Sequence, residues 1–249
     1  MLIAQGLEML EISSAAMGRT TTINPALIWD PATALLVDAG FPGQLPLFRE
    51  AMAAAGVPFE RLGAVILTHQ DIDHLGGLPA ILEGAPQKVE VLASETEKPY
   101  IQGEKQSVKM NPEAMAKMMA SLPPEVAEAR RKSFAALLAN PPKAVVTRTV
   151  ADGEELPYGG GVTVIATPGH TPGHVSVYHR SSKTLITGDA MVVNDGQLLG
   201  PSPSATADLA TATRSLQKFT HFDIQAVICY HGGLYRGDAN RRIAELASA

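Results

Sequence analysis

Seven short apolar stretches, most of them closing on a polar residue, set the strongest limit on how this 249-residue chain can fold. They are TALLVDAG to Gly40, GAVILTH to His69, KVEVLA to Ala93, VTVIATPGH to His170, HVSVYHR from His174, KTLITGD to Asp189 and IQAVICYH to His231. Short, β-branched and bounded by Gly or Pro, they read as strands of a largely buried sheet structure. Helical spacing falls between them, at about Gly43 to Ala55, Leu75 to Glu83, Ala205 to Phe219 and Asp238 to Ala247, which makes the class α/β. His69, His170, Asp189 and His231 each terminate such a run, and loops leaving one edge of a sheet can bring those ends to one site. A short echo between ALLVDAG and TLITGDA hints at two similar halves.

A chain of this length with 45% hydrophobic residues can bury one large core, so a single domain spanning residues 1–249 is expected. The stretch 94–142 differs from the rest. It opens with the polar SETEKPYIQGEKQSVKMNP, carries a helix rich in methionine (Met110, Met115, Met118, Met119), breaks at Pro123 and Pro124, and stops at Pro141 and Pro142. That pattern predicts a helical insertion or cap, because loops this long usually carry structure of their own. The net charge of −5 argues against a nucleic-acid surface and leaves small molecules as the expected partners. Cys229 is the only cysteine, so there is no disulfide framework and no paired-cysteine metal site, and its apolar neighbours predict a buried thiol. The N-terminus lacks a basic leader and no run of about 18 apolar residues occurs, so the expectation is a cytoplasmic protein that enters no membrane. The apolar N-terminal segment and the insertion are surfaces that a homodimer could use.

The densest chemistry lies in AVILTHQDIDHLGG, Ala64 to Gly77, where two histidines and two aspartates fall within six residues. Imidazole and carboxylate together suit first-row divalent ions, and catalytic sites combine them while leaving a position open for water. In an extended loop after a strand, His69, Asp71 and Asp73 would face one way while His74 turns onto the following helix. Gly76 and Gly77 would keep the approach uncrowded, and the helix N-terminus would favour anionic groups.

THQDIDHLGG, TPGHTPGH, TGDA and the closing CYHGG resemble, in order and spacing, the metal motifs of the metallo-β-lactamase superfamily over nearly the whole chain. The insertion is placed as in the superfamily's lactonase-like members, the N-acyl-homoserine-lactone hydrolases. The resemblance implies a four-layer αββα sandwich with a two-metal site at one edge of the sheets. Carried over by position, His69, Asp71 and His170 would hold the first metal, Asp73, His74 and His231 the second, and Asp189 would bridge them, while Asp38 would support the site without binding metal. It also implies two divalent ions, zinc before iron or manganese.

Most hydrolases of the superfamily carry histidine where this chain has Asp71. An ionised aspartate there cancels the last positive charge of two dications already offset by Asp73, Asp189 and a bridging hydroxide. A neutral cluster polarises a carbonyl less and suits harder, oxygen-favouring ions, as in the iron-binding flavodiiron branch, where the position is glutamate. In a two-ion site a bridging hydroxide attacks a carbonyl or phosphoryl centre, and the resemblance gives Asp73 the task of passing a proton to the leaving group. Lactone, ester, thioester, amide and phosphoester hydrolysis all fit that chemistry; an iron redox enzyme and a non-catalytic ligand-binding protein are alternatives on the same fold. The lactonases carry a tyrosine three positions after the bridging aspartate, where this chain has Val192. Tyr100, Tyr230 and Tyr235 are the candidates to replace it, and Ile72, Tyr100 and Val192 are the expected substrate contacts. His174, His179 and His221 are expected to be structural or solvent-facing.

Overall fold

The computed structural model describes residues 1–16, 19–109, 128 and 139–248. The chain begins with β1 (Leu2–Ala4) and β2 (Leu7–Met9), makes a separate hairpin of β3 (Ile12–Ala16) and β4 (Arg19–Ile23), and continues through β5 (Ala26–Trp29), β6 (Ala34–Val37), β7 (Leu62–Ile66), β8 (Glu90–Ser94) and β9 (Arg148–Val150). Apart from the hairpin these strands form one seven-stranded sheet in the order β1-β2-β5-β6-β7-β8-β9. The second sheet has six strands, from β10 (Glu155–Leu156), β11 (Val162–Ala166), β12 (Val175–His179) and β13 (Thr184–Ile186) to β16 (Ala226–Cys229) and β17 (Gly233–Tyr235), with the hairpin β14 (Val192–Asn194) and β15 (Gln197–Leu199) beside it. Helices α1 (Leu45–Ala54), α2 (Ile72–Leu75), α3 (Leu78–Gly84), α4 (Lys98–Ile101), α5 (Leu209–Ser215) and α6 (Ala239–Ala247) complete the described elements.

Strand alternation builds the layers, because successive side chains point to opposite faces. Leu35, Val37, Ala64, Ile66 and Leu92 point inward to meet Val162, Val164, Val175, Val177, Ile186 and Ile228 in a core between the sheets. Their neighbours Ala34, Leu36, Val65 and Val91 face outward and pack against Phe48 and Met52 of α1 and Leu78 and Ile81 of α3. On the far side Ile165, Leu185, Val227 and Cys229 meet Leu216, Phe219 and, from α6, Ile243 and Ala247. This is the four-layer αββα sandwich. Each fully buried Leu, Ile or Phe contributes roughly 1.5–3 kcal/mol of transfer free energy.

The two sheets echo each other. In the first, β6 pairs antiparallel with β5 and parallel with β7; in the second, β13 pairs antiparallel with β12 and parallel with β16. Asp38 follows β6 and Asp189 follows β13, so the resemblance between ALLVDAG and TLITGDA has a structural counterpart.

Some expectations change in detail. The helix expected over Leu75 to Glu83 is two helices, α2 and α3, separated at Gly76 and Gly77. A Cβ on Gly77 would lie 2.1 Å from the Ala39 carbonyl oxygen and one on Gly76 2.3 Å from that of Ile72, so this turn packs too tightly for any side chain. The helix expected from Ala205 starts at Leu209, where the Asp208 side chain caps it by accepting from the Thr211 N–H, and gives way to a 3-10 turn over Leu216–His221. The Met-rich helix and its successor fall outside the described residues. No helix among the described residues is long and apolar enough to cross a membrane.

Candidate metal centre

The functional side chains come from four loops at one edge of the sandwich. None sits on a strand: His69, His170, Asp189 and His231 lie two to four residues beyond the ends of β7, β11, β13 and β16. The extended alternation expected from His69 to Asp73 is also corrected. Helix α2 begins at Ile72, so Asp73 and His74 project from a helical turn and Asp71 is the N-cap, with no hydrogen bond from its side chain to the helix. Its carboxylate is therefore free to face the site, and Asp71 Oδ2 lies 3.2 Å from His69 Nε2 and 3.3 Å from His170 Nε2.

Two candidate metal-binding clusters result. His69, His170 and Asp189 form one; Asp73, His74 and His231 form the other; within each, one ligand atom per residue lies within 4.8 Å of the rest. Asp189 spans both. Its Oδ2 is 3.2 Å from His170 Nε2 and 3.4 Å from His231 Nε2, and its Oδ1 is 3.4 Å from His74 Nε2. His231 Nε2 is 3.2 Å from Asp73 Oδ2. A tetrahedral ion bonded at about 2.0–2.1 Å sets its ligand atoms about 3.3–3.4 Å apart, so these spacings suit such an ion. Three buried atoms point into the site with no hydrogen-bond partner, His69 Nε2, His74 Nε2 and Asp189 Oδ1. Buried polar atoms are rarely left so, and here a cation in each cluster would satisfy them.

The rear of each imidazole is held. Thr68 donates from its backbone N–H to Asp38 Oδ1 at 2.8 Å and from its hydroxyl to Oδ2 at 2.9 Å, which leaves the hydroxyl oxygen to accept from His69 Nδ1 at 2.9 Å. His74 Nδ1 donates to Asp38 Oδ2 at 2.9 Å. In both rings Nε2 is then the atom presented to the site, the arrangement that metal-binding histidines use. Asp38 holds a left-handed backbone, φ 66°, which an aspartate keeps only where its surroundings impose it. The Tyr230 ring stacks on His74 at 3.8 Å and its hydroxyl donates to the Asp73 carbonyl. Tyr230 is thus a support, and that removes it as a replacement for the lactonase tyrosine.

His174 is structural, as expected. It is fully buried, its Nε2 accepts from the Asp189 N–H at 3.1 Å, and its Nδ1 donates to Thr167 Oγ1 at 2.8 Å. Burial and the neighbouring His69 and His170 push its pKa well down, so the ring is neutral. His179 is buried and bonded to Ser182 Oγ and the Gly159 carbonyl, both at 2.6 Å, while His221 is exposed. Cys229 is buried, and burial pushes its thiol up to about 12.

Burial works against ionisation throughout, yet the carboxylates facing His231 raise its pKa to about 10, and Asp38, Asp189 and Asp73 raise that of His74 well above the ordinary value. Burial also acts on Asp71 and Asp189, but the histidines facing them hold both well below the usual carboxylate range. His170 goes the other way, to about 4, chiefly through burial.

A sequence model of the metallo-beta-lactamase superfamily matches residues 18–231. The chain belongs to the metallo-beta-lactamase superfamily. The probable metallo-hydrolase YflN of Bacillus subtilis is 30% identical over 215 residues, 82% of this chain and 76% of that protein. A hydroxyacylglutathione hydrolase of Brucella anthropi is 40% identical over 89 residues, 34% of this chain and 32% of that one. A metallo-beta-lactamase family protein of Thermus thermophilus, TTHA1429, has the same fold, with a TM-score of 0.69, 24% identity, and coverage of 99% of this chain and 80% of its own. Relatives of this kind support a hydrolase, and superfamily membership together with the His/Asp clusters points to divalent metal.

Beside the clusters lies a cavity of about 340 Å³ lined by Gln70, Ile72, Leu75, Tyr100, Lys105 and Pro141 among others. Two of the three expected substrate contacts, Ile72 and Tyr100, line it. Val192 does not; it starts the β14–β15 hairpin and is half-buried.

Two residues near the site carry no sequence signal. Glu97, fully buried, accepts from the Gln70 N–H at 3.0 Å, the Gln70 side-chain amide at 2.9 Å and the Gly173 N–H at 2.8 Å, so it ties the His69 loop to the His170 loop. Lys109 reaches Asp71 and His170 from the start of the insertion. Both lie in a polar stretch without periodicity, and only the folded loops reveal them.

Proposed function

We propose that this chain is a metal-dependent hydrolase with a binuclear site that cleaves a small lactone, ester or related carbonyl substrate. The observation that carries this reading is the position of Asp189, one oxygen facing His74 and the other facing His170 and His231, as a carboxylate shared by two ions would lie. His69, Asp71 and His170 would hold one ion and Asp73, His74 and His231 the other, zinc before iron or manganese. Bound there, the ions would supply acidified water and polarise the substrate carbonyl.

The chain's own groups do the rest. Asp38 and Thr68 fix the rings of His74 and His69 with Nε2 forward, and His174 fixes the Asp189 loop from behind. Asp73 lies at the mouth of the second cluster, where its carboxylate can receive a proton and pass it to the leaving group. Ile72 and Tyr100 wall the adjoining cavity and would orient the substrate.

The test begins with elemental analysis of protein purified without added metal, followed by turnover of lactone and aryl-ester panels with and without chelator. Two ions per chain and chelator-sensitive turnover are expected. Absence of bound metal, or turnover that survives complete metal removal, would overturn the reading. A thioester is the second substrate class, favoured by the likeness to hydroxyacylglutathione hydrolase, and a thioester panel separates the two.

A further inference from the structure

Lys109 occupies an unusual place for a surface lysine. Its Nζ lies 2.5 Å from Asp71 Oδ2 and 2.5 Å from His170 Nε2, two atoms that are themselves 3.3 Å apart and that belong to the first metal position. An ion bonded to both at about 2.1 Å would lie within about 3.2 Å of that nitrogen, wherever it sat around them. An ammonium and a dication do not share such a distance without strong repulsion.

The lysine is also delivered by a built scaffold. The Val108 N–H donates to Gln70 Oε1 at 2.9 Å, the rest of the Gln70 amide donates to buried Glu97, and Glu97 in turn holds the His170 loop through the Gly173 N–H. Ser94 Oγ donates to the Gly173 carbonyl at 2.7 Å and closes the ring. The segment that carries Lys109 is thus fastened to the same two loops that carry the ligands it covers.

The second cluster has no such companion. Among the described residues, no lysine or arginine pairs with Asp73, His74, Asp189 or His231, and the ion-pair partners of Asp73 and Asp189 are all histidines.

We propose that the Lys109 ammonium is a built-in occupant of the first metal position, so that the second cluster fills at low metal concentration and the first fills only when Lys109 withdraws. The proposal rests on the metal-site reading above. It also accounts for Asp71: a carboxylate in place of histidine needs a positive partner when no ion is bound, and Lys109 supplies one.

Cobalt(II) is the probe, titrated into the metal-free full-length chain and followed by calorimetry and by its visible absorbance. The wild type should take two ions in separate steps. Lys109→Met should tighten the weaker step by about tenfold or more and leave the stronger within about twofold, since it removes a charge close to the incoming dication. Lys109→Gln should repeat this, Lys109→Arg should keep the steps apart, and His231→Ala should remove the tighter step. An unchanged weaker step in both neutral variants, or two cobalt ions of equal affinity in the wild type, would overturn the proposal. If neither the wild type nor Lys109→Met binds cobalt, the metal-site reading itself fails, which is a distinct result.

Discussion

The two clusters share Asp189 but are supported in different ways. Behind the second, His74 leans on the Asp38 carboxylate, Tyr230 stacks on its ring and holds the Asp73 backbone, and the Asn24 amide holds the Tyr230 carbonyl at 3.0 Å. Behind the first, the holds are hydroxyls: Thr68 on His69 at 2.9 Å and Thr206 on His170 at 3.4 Å, with Lys109 in front. A carboxylate behind an imidazole raises its basicity and fixes its angle more firmly than a hydroxyl does. Two similar-looking ligand sets can therefore be unequal because of what stands behind them.

The largest effect should come from the group the clusters share. Asp189→Ala is expected to lose both ions and to bring any hydrolytic turnover to background, read by elemental analysis and the substrate panels; a variant that keeps one full ion would show that the clusters do not share this carboxylate. Next, Asp38→Asn should weaken metal at the second cluster, whose His74 it holds directly, by about 10- to 100-fold, and the first, which it reaches only through Thr68 and His69, by less, measured by competition with a chromophoric chelator. Equal losses at both sites would erase the contrast between them.

Acid sharpens the comparison in the metal-free protein. His174, beneath the first cluster, has a depressed pKa, so its unfolded form binds more protons; its contribution is complete above about pH 6.5 and is lost as pH falls. The loss approaches about 1.4 kcal/mol per pH unit while the folded ring stays neutral. His74, beneath the second, is raised, so its contribution is complete below about pH 6.5 and is lost as pH climbs through its folded value. The stability gap between wild type and His174→Gln, from urea melts, should narrow between pH 8 and pH 5; a gap that widens would reverse the sign assigned to this ring. The smallest effect is Tyr230→Phe, which removes one hydrogen bond to the Asp73 carbonyl and should cost about 1 kcal/mol with an unchanged denaturant slope.

Much of this was legible in the chain. Apolar, β-branched runs bounded by Gly or Pro marked the strands and the His and Asp residues near their ends marked where loops would meet, while the sandwich itself was implied by the resemblance. The N-terminal strands β1 and β2 escaped because three residues are too few to show a period, and α2 was hidden because a four-residue helix shows none. Lys109 and Glu97 escaped for another reason: their positions depend on hydrogen bonds to residues 27 to 76 places away, and a local pattern carries no trace of them.

The span of chain that meets at the centre has a kinetic consequence. Asn24 bonds to Tyr230 across 206 residues, and the ligands run from His69 to His231, so the site exists only after both sheets have docked. Contacts of such high separation form late, because loop closure must precede them. Whatever cation binds here can recognise only the finished molecule. It should hardly alter the rate at which the chain folds, and should instead lengthen the time the folded state survives.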